Sequence, residues 1–128
     1  MPNDLSGEAL REAFFTTCLG WYPEYGNNDK SLTPYWVDAD DNVYEWLPEV
    51  STNATACEAW AMRWAREQGL VAMVEEMLDG RWCASLAQFD GDGELVDSHD
   101  SKGQDWKEAF VRACVAAGQV LNQARGGT

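Results

Sequence analysis

LPEVSTNATACEAWAMRWAREQG, residues Leu47 to Gly69, carries the clearest punctuation in the chain. A proline-containing lead-in is followed by Ser51, Thr52, Asn53 and Thr55, all of them side chains able to accept a hydrogen bond from the first free N–H groups of a helix. An alanine- and tryptophan-rich body follows, and Gly69 closes it where a left-handed residue is needed to stop the helix. Trp60 and Trp64, four apart, share one face of that helix, and the spacing predicts that they line a helix–sheet interface.

Downstream of this helix, 70–77, 81–89 and 94–98 read as three strands, with a helix over 70–78 the competing reading of the first because Glu75-Glu76 and Met77-Leu78 also suit one. Asp79-Gly80 and Asp90-Gly91-Asp92-Gly93 supply the turns of an antiparallel meander. In the second strand Trp82, Ala84 and Leu86 point one way, while Arg81, Cys83, Ser85 and Ala87 point the other. Neither face is strongly charged, which predicts a sheet covered on both sides. His99 to Gln104 reads as a polar linker. A last helix runs from about Asp105 to Asn122, with Trp106, Phe110, Ala113, Ala117 and Leu121 at helical spacing.

Upstream, Ser6 caps a first helix to Leu19. Leu5 and Leu10 form a hydrophobic staple, and Leu10, Phe14 and Cys18 form an inward stripe. Residues 23–34 lack periodicity and read as a long loop. Tyr35 and Val37 on one side, Val43 and Trp46 on the other, flank Asp38-Ala39-Asp40-Asp41-Asn42, the pattern of a short hairpin with an acidic tip. The expectation is one α+β domain over 1–128, with residues 1–4 and 123–128 frayed.

Charge narrows the function. The 22 acidic against 9 basic residues give a formal net charge of −13 and a pI near 4.2. Such a chain is repelled by nucleic acid phosphates and by anionic membranes, so direct nucleic acid or membrane binding is not expected, and a basic partner is. No apolar run is long enough to span a bilayer, and the first residues have no signal-peptide pattern, so a cytoplasmic location is expected. Cys18, Cys57, Cys83 and Cys114 fall in separate predicted elements beside apolar residues, the placement of free thiols acting as small hydrophobes. With His99 the single imidazole, neither a zinc site nor another cofactor is expected.

Two acidic runs imitate the opening of a calcium loop. In the first, Asp38, Asp40 and Asn42 match, but Val43 stands where the sharp turn needs glycine. In the second, Asp90, Asp92 and Glu94 match, but Leu95 takes that place. Both are better read as acidic hairpin tips. No nucleophile-elbow, P-loop or dinucleotide motif is present, and no catalytic residue is assigned; an enzyme built on His99 is the least supported class. Trp36 and Trp46 flank the first acidic tip, where exposed aromatics anchor partners. The candidate partner-binding residues are therefore Trp36, Asp38, Asp40, Asp41, Glu45 and Trp46, with Asp90, Asp92 and Glu94 in the second hairpin.

The chain also resembles the phage ABA sandwich domain family, small proteins of bacteriophages and prophages. Cys18-Leu19-Gly20-Trp21 is similar to the family's helix-ending Gly-Trp. Leu47-Pro48-Glu49-Val50-Ser51-Thr52, leading to Ala56 and Trp60, is similar to its entry to an alanine- and tryptophan-containing helix. Glu108-Ala109-Phe110-Val111-Arg112-Ala113-Cys114 is similar to its closing helix. Asn53 departs from a common Asp, and the acidic stretch from Tyr22 to Trp46 is longer than usual. The resemblance implies a three-layer α/β/α sandwich with a mainly antiparallel sheet and about three helices, a phage origin, and no established catalytic residues. Together with the charge it implies a non-enzymatic inhibitor that binds a basic host protein, such as a component of CRISPR or restriction defence, by imitating DNA. A small-ligand binder that sequesters a nucleotide signal, with aromatics between Trp21 and Trp46 stacking on the base, is the alternative.

Overall fold

Of the four candidate caps before the central helix, Asn53 is the one used: its Oδ1 accepts from the Ala56 N–H at 3.0 Å in the computed structural model, which describes residues 7–126. The helix, α2, begins at Ala54–Ala56, widens into a π-helical turn over Cys57–Met62 and returns to α geometry over Arg63–Glu67. Gly69, at φ +74°, ends it. The Leu70 N–H reaches back to the Ala65 carbonyl and the Gly69 N–H to that of Arg66, the paired bonds that close a helix through a left-handed residue.

The remaining elements are α1 (Gly7–Leu19), β1 (Tyr22–Glu24), β2 (Tyr35–Val37), β3 (Val43–Tyr44), β4 (Val71–Glu76), β5 (Trp82–Phe89), β6 (Leu95–Gly103) and α3 (Trp106–Gly126). They form two antiparallel three-stranded sheets, in the orders β1-β2-β3 and β4-β5-β6. The α+β class, the antiparallel pairing and the three helices are as expected. The Ser6 cap and its Leu5 staple lie outside the described residues, as do residues 1–4 and 127–128. The last helix continues past Asn122 to Gly126.

Two stretches expected to be irregular are strands. Tyr22–Glu24, at the head of the expected loop, pairs with Tyr35–Val37, and His99 to Gly103 continues β6, with Leu86 opposite His99 and Trp82 opposite Gly103. Polar composition concealed this extension. β6 is an edge strand with most of its side chains in water, so its backbone pairing leaves no hydrophobic alternation to read.

Ala84 and Leu86 are fully buried under α3, while the opposite face is open. Met73 is 70% exposed, and Val71, Ser98, Asp100 and Lys102 are exposed with it. The sheet is thus covered on one side, where two were expected. The cause is the position of α3, which lies between the β4–β6 sheet and α1. Buried on two sides, it hides Val111, Cys114 and Val115 as well as the expected Phe110, Ala113 and Ala117.

Trp60 and Trp64 face α1 and its C-terminal neighbour, a second departure. Trp64 meets Phe14 edge-on with ring centres 6.4 Å apart, and Trp60 meets Phe15 at 5.5 Å and Trp21 at 5.4 Å. Trp21 stacks on Tyr44 at 4.5 Å, tying the small sheet to the helices through one aromatic cluster. Cys57 and Cys114 are buried free thiols, as expected. Burial pushes the Cys57 thiol up to about 12 and also raises those of Cys18 and Cys114, disfavouring the thiolate.

Candidate functional site

The acidic tip between β2 and β3 is built by its first residue. Asp38 Oδ1 accepts from the backbone N–H groups of Asp40 and Asn42, both at 2.9 Å. Its Oδ2 accepts from Asn42 Nδ2 at 3.0 Å and from the Tyr44 hydroxyl at 3.1 Å. Backbone bonds from Asp38 N–H to the Asn42 carbonyl and from Asp41 N–H to the Asp38 carbonyl close the turn, with Asp41 at φ +66°. The β5–β6 tip repeats the device: Asp90 Oδ1 accepts from the N–H groups of Asp92 and Glu94 at 2.9 and 3.0 Å. In each run the first carboxylate folds the turn and the later ones stand in water.

Partial desolvation opposes the Asp38 charge, but the combined bonds from the Asn42 side chain and backbone, the Asp40 N–H and the Tyr44 hydroxyl outweigh it. They hold the carboxyl below its ordinary value of 3.8. A depressed folded-state value means that this support is complete above pH 3.8 and is lost as pH falls through the lower value. The amide resonances of Asp40 and Asn42 are therefore expected to titrate with a midpoint below 3.8 and to lose that titration in Asp38→Asn; a midpoint at or above 3.8 would contradict the turn described here.

The candidate aromatics separate. Trp36 is 7% exposed and belongs to the core cluster with Trp21 and Leu47, so it is withdrawn from the partner-binding set; β2 is buried on both faces here, since Val37 is buried too. Trp46 is 72% exposed, two residues beyond the Tyr44 that holds Asp38. It lines a cleft of about 480 Å³ with Arg11, Leu47, Pro48, Glu49, Asn53 and Ala56. Arg11 lies 3.8 Å from Glu49, and its Nε is buried without a hydrogen-bond partner. Asp40, Asp41 and Glu45 are exposed on the same hairpin and its exit, whereas Asp90, Asp92 and Glu94 belong to the other sheet. Of the aromatics between Trp21 and Trp46 expected to stack on a nucleotide base, Trp21 and Trp36 are buried and Tyr44 is stacked on Trp21, while Tyr22, Tyr35 and Trp46 are exposed.

His99 is not in a solvated linker. It lies in β6 with its side chain 10% exposed and its Nε2 3.6 Å from Asp97. Among the described residues, no group of three or more His, Cys, Asp or Glu side chains is placed to hold a metal ion, and no helix is long and apolar enough to cross a membrane. Sequence reading missed a larger cleft of about 660 Å³ at the end of β6, which brings Arg81, Lys102 and Arg112 together from three elements. Their separation in sequence left no local motif to find. No protein-family model and no curated protein sequence matches the chain.

Proposed function

We propose that this is an acidic, non-enzymatic interaction protein, encoded by a phage and acting in the bacterial cytoplasm, that docks on a basic surface of a host protein. Inhibition of a defence system such as CRISPR or restriction, by presenting carboxylates where DNA phosphates would lie, is the specific form of this reading. The observation that carries it is Trp46, a large aromatic left 72% exposed beside a turn that Asp38 holds rigid. A preorganised acidic tip loses little entropy on binding, and an exposed tryptophan at a cleft is the kind of residue that dominates an interface. The net charge of −13 supports long-range attraction to a basic partner and sets its preference against nucleic acid itself.

The test is capture of partners from a bacterial host lysate by the wild-type protein and by two variants, Trp46→Ala and the double reversal Asp40→Lys with Asp41→Lys. A basic protein retained by the wild type should bind Trp46→Ala about 30-fold more weakly. It should be released by rising salt and, if the acidic tip takes the place of DNA, by competing duplex DNA. Equal retention by the charge-reversed protein would remove this hairpin from the interface. Because Trp46 packs little, its replacement should leave stability within about 0.5 kcal/mol, separating a binding effect from unfolding.

A further inference from the structure

The basic residues of this chain are few, and three of the nine line one cleft. Arg81 comes from the β4–β5 turn, Lys102 from β6 and Arg112 from α3, with Asp100, Ser101, Gln104 and Glu108 beside them. With Asp79 paired to Arg81 beside the lining, three cations meet three carboxylates, a locally balanced spot on a molecule of net charge −13.

Its parts differ in freedom. Arg112 is fixed, with Nη1 donating to the Lys102 carbonyl at 2.6 Å and 3.0 Å from Glu108 Oε1. Arg81 is held by Asp79 through Nε at 2.9 Å and Nη2 at 2.7 Å. Lys102 is exposed and makes no ion pair with the described residues. Glu108 Oε1 also accepts the Gln104 N–H at 3.1 Å, so the carboxylate is oriented.

We infer that this cleft binds a small phosphorylated, hydroxyl-bearing molecule of the sugar-phosphate class. The guanidinium of Arg81 and the ammonium of Lys102 meet the phosphate, since charge-assisted donors of this kind recognise it best. Asp100, Glu108 and the Gln104 side chain accept from or donate to the hydroxyls. Among the described residues no aromatic ring lines the cleft, so they offer a base nothing to stack on, and a nucleotide is the poorer fit. A volume of about 660 Å³ suits a small ligand. The overall charge acts as a filter. At physiological salt a field is screened within about 8 Å, so a small anion meets the local cations while an extended polyanion meets the whole acidic surface.

The experiment is isothermal titration calorimetry of the full chain with ribose 5-phosphate, ribose and inorganic phosphate, at ionic strength matched with chloride. Lys102→Glu and Arg81→Gln are compared after circular dichroism confirms their fold. Ribose 5-phosphate is expected to bind more tightly than inorganic phosphate, with no heat from ribose. Each variant should lose about tenfold or more in affinity, the effect of one charge-assisted contact. If Lys102→Glu does not fold, Arg81→Gln carries the comparison. No heat with ribose 5-phosphate at millimolar concentration, or unchanged affinity in a folded variant, would overturn the assignment. Equal affinity for inorganic phosphate would overturn the hydroxyl-bearing class.

Discussion

Truncating Trp64 to alanine is expected to cost about 3–5 kcal/mol, the range for removing a buried aromatic side chain from a packed core. Trp64 is 5% exposed, and its edge-on contact with Phe14 joins α2 to α1 at one end of the aromatic cluster. The cavity left behind would be lined by side chains anchored on two helices, which limits collapse. Since a domain of this kind is stable by about 5–15 kcal/mol, the variant would sit close to unfolding. Urea denaturation followed by far-ultraviolet circular dichroism measures the loss directly. A cost below about 1 kcal/mol would show that the α1–α2 contact does not hold the fold together.

Gly103→Ala should be the next most damaging, for the opposite reason. A Cβ at Gly103 would stand 2.6 Å from the Ala109 nitrogen, 3.1 Å from its Cα and 3.0 Å from Glu108 Cβ. Two of these atoms belong to the backbone of α3 and have no rotamer in which to retreat. That backbone is held by a reciprocal cap: Asp105 Oδ1 accepts the Glu108 N–H at 2.9 Å, and Glu108 Oε1 accepts the Gln104 N–H at 3.1 Å. Overpacking here is expected to cost about 1–3 kcal/mol, toward the upper end because the strand and helix must separate or the cap must break. Thermal unfolding of the variant tests it, and a change within about 0.5 kcal/mol would mean that the start of α3 is free to shift. The same substitution should deform the cleft at the end of β6, whose wall includes Gly103 and Glu108.

How much of this was legible depended on range. The ends of α2 could be read because capping is local: Asn53 bonds a residue three positions on, and Gly69 supplies the left-handed backbone that the chain needs there. The two acidic tips could be read as turns for the same reason. Within them, however, spacing alone did not separate the folding role of Asp38 and Asp90 from the exposed Asp40, Asp41 and Asp92. That division follows from which oxygen meets which N–H. β6 was cut short because an edge strand rich in Asp, Ser and Lys shows no apolar period, although its backbone pairs as far as Gly103.

Composition and local order thus determined the acidic character, the α+β class, the antiparallel meander and the helix from Asn53 to Gly69. The tertiary structure decided that Trp36 is core and Trp46 is surface, that α3 is buried on two sides while the sheet keeps one open face, and that Arg81, Lys102 and Arg112 share a cleft. The physical reason is that hydrogen bonds of caps and turns close within a few residues, whereas burial and charge clustering depend on where distant elements meet. For Arg81 and Arg112 that meeting occurs only after β5 and β6 pair and α3 folds back across them.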